Sequence, residues 1–280
     1  MIVPTLPQPY QDELAHAVAL LPGDGPLPVV LASGDHAPLL ENWIRHTRAV
    51  GIQRFLVVAM DNSLAERVMC TGAVVARCGF DGSRSDFWLQ RLLVLDFLVR
   101  HRVDIIHSDT DAIWLRDPIP EFFAGTGFDL AFSQGVALPP DVLHHWGFVL
   151  CCGLFGVKAT DASMAFFSAM VARAADEVSF DDQEAANRLL CESGVVWSTA
   201  GHASYRVRYG DYIFTCYPDV VDGTCAALGL RVRLLPHHLF PRLTDLRENA
   251  FVVHPLTPNA LAAKIPLLRK AGFWMLGDGA

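Results

Sequence analysis

The stretch from Asp104 to Pro118 constrains this chain more than any other. An apolar run at residues 103–106, typical of a buried β-strand, is followed by two carboxylates one residue apart, Asp109 and Asp111. Carboxylates rarely end a buried strand unless a cation meets them. Side chains alternate along a strand, so these two would point the same way if the extended geometry continues. Two hard oxygen ligands on one side suit Mg²⁺ or Mn²⁺ bridging a diphosphate. We therefore predict a divalent metal site.

A bare Asp-x-Asp pair also has a structural interpretation. One carboxylate could cap the following turn while the other forms a surface ion pair. The preceding buried strand and the Trp-Leu-Arg-Asp-Pro sequence at 114–118 favour the metal site over this alternative.

Polar residues follow several predicted strands. Pro28–Ser33 and Arg54–Met60 are apolar and enclose a helical pattern, which predicts a right-handed βαβ unit. Ligands of open α/β sheets bind at the carboxyl ends of the strands. We therefore expect Ser33 and Asp61, which follow these strands, to share a cleft with the Asp-x-Asp pair.

Two predicted helices carry polar residues of interest. The helix predicted at 87–100 is apolar on nearly every face, so it should pack deep against the sheet. Arg91 within it either extends its charged end to the surface or binds phosphate. Asp181-Asp182-Gln183-Glu184 resembles a capping box at the start of another helix, and Asp181 could cap while Asp182 points into the cleft.

Length and composition favour one large domain. The 280 residues, 52% of them hydrophobic, suffice for a sizeable core, and no linker is visible. We predict an N-terminal arm at 1–27 and a single α/β domain at 28–280. The net charge of −8 argues against a nucleic-acid partner.

The cysteines and the apolar segments bear on location. The seven cysteines form no C-x-x-C pair, which fits a reducing compartment. The N-terminus lacks the pattern of a signal peptide, and no apolar run reaches the roughly 18 residues of a membrane span. We expect a cytoplasmic protein without a transmembrane segment.

Ser108 to Pro118 resembles the signature of the nucleotide-diphospho-sugar transferase domain, in the GT-A fold group that includes glycosyltransferase family 77. Other features agree in order: the strand before Asp61, the helix with Arg91, then Gly153, Asp182-Gln183 and a late His254. The resemblance covers roughly residues 28–275. It implies an α/β fold, a GT-A type Rossmann-like mixed sheet flanked by helices.

The resemblance also implies an activity: metal-dependent transfer of a sugar from a nucleotide diphosphate, with UDP expected, to an unknown acceptor with retention of configuration. Mn²⁺ or Mg²⁺ would be the cofactor. The implied roles are metal binding by Asp109, Asp111 and His254, diphosphate contact by Lys264, nucleoside contact by Ser33 and Asp61, and sugar contact by Asp182 and Gln183. His254 could instead be a hydrogen-bonded histidine at a strand end. Many relatives have Asn-Gly where this chain has Cys152-Gly153, which leaves the sugar open.

Two other functions remain open from the sequence. A phosphatase of the haloacid dehalogenase type would use Asp109 as nucleophile and Asp111 as acid/base. Against it, the motif follows about 100 residues of βαβ pattern, and Ile113 stands one place beyond the expected Thr or Val. A non-catalytic nucleotide-sugar-binding module is the second alternative.

Overall fold

The computed structural model describes residues 4–80, 82–175, 180–256 and 261–277. The strands are β1 (Leu27–Ala32), β2 (Leu56–Ala59), β3 (Val74–Arg77), β4 (Ile105–Ser108), β5 (Ile113–Trp114), β6 (Leu130–Gln134), β7 (Leu150–Val157), β8 (Val196–Trp197), β9 (Tyr205–Tyr209), β10 (Tyr212–Cys216), β11 (Val221–Cys225), β12 (Leu230–Leu234) and β13 (Val252–Val253). The α-helices are α1 (Gln8–Ala19), α2 (Ala37–Ala49), α3 (Asn62–Met69), α4 (Arg84–Arg100), α5 (Ile119–Phe122), α6 (Pro140–Trp146), α7 (Asp161–Ala174), α8 (Asp182–Glu192) and α9 (Leu261–Lys270).

The central sheet is mixed, with the strand order β3-β2-β1-β4-β7-β6-β12-β11-β8. Strands β3, β2, β1 and β4 run parallel, and β7 runs antiparallel to both of its neighbours, β4 and β6. Two small two-stranded sheets, β9 with β10 and β5 with β13, stand apart from it. This arrangement confirms the predicted α/β mixed sheet of GT-A type.

Helices cover both faces of the sheet. Along β1, Val29 and Leu31 enter one hydrophobic cluster while Val30 and Ala32 enter another, as the two-residue period of a strand requires. Because both faces are buried, the strands β1 and β2 are apolar along their whole length. The carboxyl ends of these strands therefore form one edge at which polar residues can gather.

The N-terminal segment packs against the edge of the sheet. Leu14 and Ala17 of α1 are buried in the main core, and Glu13 forms an ion pair with Arg77 of β3 at 2.7 Å. Helix α1, within the segment predicted as an arm, thus contributes to the core, and β1 already begins at Leu27.

Two details differ from the sequence predictions. Helix α4 begins at Arg84, and its cap is Ser83, whose hydroxyl accepts from the backbone N–H of Asp86. The strands β10 and β11 were not predicted, because β11 contains Asp222 and Gly223, residue types that are depleted in strands, and β10 is half exposed.

Among the described residues, no helix has both the length and the apolar character needed to cross a membrane.

Candidate active site

Strand register places Asp109 at the centre of the site. Strand β4 ends at Ser108, which pairs with Leu154 of the antiparallel strand β7. Asp109 therefore lies beside Gly153, and its backbone N–H donates to the Gly153 carbonyl at 2.7 Å.

A second pairing brings His254 to the same place. The register of β5 with β13 aligns Ile113 with Val253. Because this pairing is antiparallel, His254, which follows β13, approaches the residues that precede β5. Nε2 of His254 lies 3.4 Å from Oδ1 of Asp111 and 3.7 Å from Oδ2 of Asp109. One ligand atom from each of these three residues lies within 4.8 Å of the others.

The tryptophan in the motif has a structural role. Ser108 accepts hydrogen bonds on its hydroxyl from Nε1 of Trp43 at 2.9 Å and from Nε1 of Trp114 at 3.1 Å. Both indoles are fully buried, so the turn between β4 and β5 is held at both ends. This explains why a rigid Asp-x-Asp turn is followed by a tryptophan.

Gly153 leaves the space in which the three side chains meet. A Cβ atom at this position would collide with Cε1 of His254 and Oδ2 of Asp109, and would lie 2.9 Å from Cγ of Asp109. Its backbone is ordinary extended strand, so the need for glycine is one of space.

Arg91 is buried and joins two carboxylates. Its guanidinium donates to Oδ1 of Asp109 at 2.8 Å, forms a close ion pair with Asp182, and lies over the Trp88 ring at 4.2 Å. It does not extend to the surface, although it lines a cavity beside the Asp-x-Asp pair, and its binding of phosphate stays a prediction. Its charge fixes the position of Asp109 relative to Asp182.

The start of α8 supplies the other predicted site residues. Asp181 caps the helix, accepting from the backbone N–H groups of Gln183 and Glu184, while Asp182 turns inward to Arg91. The Gln183 amide accepts from the N–H of Cys152 at 3.3 Å and donates to the carbonyl of Leu138 at 3.0 Å.

The electrostatics keep the two carboxylates of the Asp-x-Asp pair ionised. Burial raises the pKa of Asp109, but Arg91 and the neighbouring histidines outweigh it and hold this pKa well below its usual range. Burial also raises the pKa of Asp111. The contacts with His254 and the charge of Lys264 outweigh it, so this pKa is lowered as well. His107, buried beside Arg91 and 3.5 Å from Asp109, has its pKa lowered by burial to about 4 and is neutral.

The pKa of Asp182 shifts in the opposite direction to those of Asp109 and Asp111. Burial raises its pKa to about 6, although the charge of Arg91 opposes the shift. This carboxylate is therefore the one near the site whose charge changes just below neutral pH.

Sequence reasoning missed a cluster behind His254. Nη1 of Arg242 lies 2.6 Å from Nδ1 of His254 and 2.7 Å from Sγ of Cys151. Burial and Arg242 lower the pKa of His254, but its contacts with Cys151 and Asp111 outweigh them and the pKa is raised. Arg242 lies in a loop between β12 and β13, outside any motif, so no sequence signal pointed to it.

Two cavities open on either side of the Asp-x-Asp pair. The first, about 300 Å³, is lined by Ser33 and His36, by the aromatic rings of α4 and by Phe80. The second, about 270 Å³, is lined by Asp182, Gln183, Gly153 and His254. Asp109, Asp111, Lys264 and Arg84 line both, so these four charged side chains stand where the cavities meet.

The structure separates Asp61 from the other predicted site residues. Its carboxylate caps α3 through the N–H of Leu64 at 2.8 Å and accepts from the N–H of Gly34 at 2.6 Å, and it lines neither cavity. It holds the loop that carries Ser33. Lys264, in contrast, reaches the site, with Nζ 2.6 Å from Oδ2 of Asp111.

The donor set fits a divalent cation. Two ionised carboxylates and one imidazole nitrogen converge, and Gly153 keeps the space between them free of a Cβ atom. Oxygen ligands with one imidazole suit Mn²⁺ and Mg²⁺.

A mixed sheet of this order, with an Asp-x-Asp pair and a late histidine between two cavities, defines a protein of the GT-A class. The profile of the nucleotide-diphospho-sugar transferase family matches residues 50–262, and the chain belongs to this family. Membership leaves the haloacid dehalogenase alternative without support.

Known relatives agree with this assignment. The arabinosyltransferase XEG113 of Arabidopsis thaliana is 23% identical over 153 residues, which cover 48% of this chain and 24% of the relative. The chain thus spans about a quarter of that protein.

Solved structures share the fold. The apo form of the glycosyltransferase GlyE of Streptococcus pneumoniae TIGR4 aligns with a TM-score of 0.54 at 10% identity, over 91% of this chain and 61% of that one. The galactosyltransferase LgtC, in complex with donor and acceptor sugar analogues, aligns with a TM-score of 0.51 at 14% identity, over 89% and 96%.

Proposed function

We propose that this protein is a metal-dependent glycosyltransferase that moves a sugar from a UDP-sugar to an acceptor hydroxyl with retention of configuration. The observation that supports this most is the convergence of Asp109, Asp111 and His254 between two cavities, in a chain of the nucleotide-diphospho-sugar transferase family.

The first cavity suits the nucleoside. The rings of Phe80, Phe87 and Trp88 offer an aromatic wall, and Ser33 and His36 supply polar groups at the end of β1. Nucleotide sites combine apolar walls with a few placed polar groups in this manner. A diphosphate would then lie between the cavities, within reach of Lys264.

The second cavity suits the transferred sugar. Asp182 is positioned by Arg91 and would accept hydrogen bonds from sugar hydroxyls. Gln183 is held by two backbone groups and would lie near the anomeric carbon. A preorganised polar group costs little to reorient during the reaction.

The bond changes follow from this placement. The acceptor oxygen bonds to the anomeric carbon, the bond from that carbon to the β-phosphate oxygen breaks, and the acceptor proton passes to the departing phosphate. A divalent cation, when bound, would supply positive charge where the leaving diphosphate develops negative charge. Lys264 would add a second positive charge at the same place.

Retention is proposed without a covalent intermediate. Of the carboxylates lining the second cavity, Asp182 is paired with Arg91, and Asp181 caps α8 and pairs with Arg84 at 3.2 Å. The remaining two belong to the metal site. Since each carboxylate has another role, attack on the same face as the departing phosphate is the proposed course.

A donor screen tests the proposal. UDP-galactose, UDP-xylose, UDP-arabinose and GDP-mannose are incubated with the protein and Mn²⁺, and the released nucleotide is measured with and without chelator. We expect metal-dependent release from a UDP-sugar, lost in Asp111→Asn and kept in the control Asp117→Asn, whose carboxylate is exposed and accepts from the backbone N–H of Ile119. Absence of release from every donor would contradict the proposal, and proton NMR of the product would report the anomeric configuration.

A further inference from the structure

The β9–β10 hairpin carries an aromatic pair beside the second cavity. Tyr209 of β9 pairs with Tyr212 of β10 next to the turn, so their side chains share one face of the hairpin. On that face, Phe214 and Cys216 are buried in a small cluster with Val136. The two tyrosines therefore continue an inward-facing surface beyond the part that is packed.

These tyrosines remain accessible although they face the protein. Tyr209 is 41% exposed and Tyr212 42%, and both line the second cavity together with Asp182 and Gln183. Leu138, 45% exposed, lines the same cavity. An exposed apolar and aromatic patch joined to a functional cavity marks a ligand-binding surface.

The hairpin is held in a fixed position. The hydroxyl of Tyr205 lies 2.8 Å from Nδ1 of the buried His237, and the N–H of Thr215 donates to the carbonyl of Gly147 at 2.7 Å. The tyrosine pair is therefore a prearranged surface, which reduces the entropy lost on binding.

We propose that Tyr209 and Tyr212 form the acceptor-binding surface and that the acceptor presents a sugar ring to them. The inference rests on the proposed function, because it assigns the acceptor to the cavity that would hold the transferred sugar. It adds the chemical class of the acceptor and the residues that bind it.

The chemistry of the cavity favours a sugar ring over an acyl chain. Tyrosine has an apolar ring face and a polar hydroxyl, and a sugar ring has an apolar C–H face and a hydroxyl edge. The same cavity contains Asp181, Asp182 and Gln183. Hydroxyl groups would satisfy these polar side chains, whereas an acyl chain would desolvate them without hydrogen bonds.

Saturation-transfer NMR tests the proposal on the full chain, with and without UDP and Mg²⁺. The probes are methyl β-D-galactopyranoside, methyl β-D-glucopyranoside, methyl α-L-arabinofuranoside, a serine-containing peptide and a short-chain lipid. The variants are Tyr209→Ala, Tyr212→Ala and the aromatic replacement Tyr209→Phe. The matched control is Ile213→Ala, on the same strand and 41% exposed but on the opposite face of the hairpin.

We expect at least one glycoside to bind the unmodified protein. Each alanine variant should weaken that binding about three- to tenfold, the range of a lost aromatic contact, while the phenylalanine variant and the control keep it. UDP affinity should be the same in all variants, which also shows that they fold.

Three results would overturn the inference. These are no glycoside binding, equal binding in the alanine variants, or binding of the peptide or lipid in place of the glycosides. Failure of the proposed function gives a different result. In that case the unmodified protein does not bind UDP with Mg²⁺, whether or not glycosides bind at the tyrosines.

Discussion

Replacement of Gly153 by alanine tests the geometry of the metal site. The new Cβ would overlap Cε1 of His254 and Oδ2 of Asp109. Both atoms would have to withdraw by about 1 Å to restore ordinary van der Waals separation. The backbone cannot move away easily, because the Gly153 carbonyl accepts from the Asp109 N–H within the β4–β7 ladder.

The size of the effect follows from the tolerance of a metal site. Ligand distances are normally kept within about 0.2 Å, so a 1 Å shift of two ligands should weaken Mn²⁺ affinity by about 10- to 100-fold. Overpacking should cost about 1–3 kcal/mol in the free energy of unfolding. Isothermal titration calorimetry with MnCl₂ and urea denaturation measure the two quantities.

Gly156→Ala is the matched control. Gly156 lies on the same strand, and a Cβ there would lie 2.9 Å from Cδ1 of Phe122, in the core away from the site. We expect comparable destabilisation with unchanged Mn²⁺ affinity. If Gly153→Ala binds Mn²⁺ as tightly as the unmodified protein, the proposed arrangement of ligands is wrong.

Three further predictions follow from the buried charges and the cap. Arg91→Met should lower the free energy of unfolding by about 3–5 kcal/mol in urea denaturation, because it leaves the buried Asp182 and the partly buried Asp109 without their cation; a loss below about 1 kcal/mol would contradict this role. Asp61→Ala should cost about 1 kcal/mol through the lost cap and change UDP affinity by less than about twofold in calorimetry; a large loss of affinity would place Asp61 at the nucleoside after all. At saturating metal, kcat/KM should fall as pH drops through about 6, since Asp182 then gains a proton, and this limb should be absent from the residual activity of Asp182→Asn. An unchanged limb in that variant would assign it to another group.

The sequence was sufficient to predict the strands β1 and β4 and the polar residues at their carboxyl ends. Apolar runs before Ser33 and Asp109 predicted strands, and the fold places both residues at the cavities. Periodicity alone could not show that Asp109 and Asp111 converge through a turn instead of an extended strand. That geometry depends on the pairing of β5 with β13, between segments far apart in the chain.

The charged network was less predictable for a physical reason. Whether Arg91 reaches solvent depends on what α4 packs against, and here α8 supplies Asp182 from 91 residues away. Arg242 and the two tyrosines of the hairpin lie in segments with no periodic pattern or motif. Asp61 shows a different limit of the sequence, since a carboxylate after a strand can also cap the next helix, as Asp61 does for α3.

Binding of UDP with and without Mn²⁺ tests the central claim most directly. Calorimetry on the unmodified protein should show UDP binding that requires Mn²⁺ and is abolished by chelator. Asp111→Ala should lose that binding, while Asp117→Asn retains it. Binding of UDP that is undiminished by chelator, or retained in Asp111→Ala, would contradict a diphosphate-bridging metal at Asp109, Asp111 and His254.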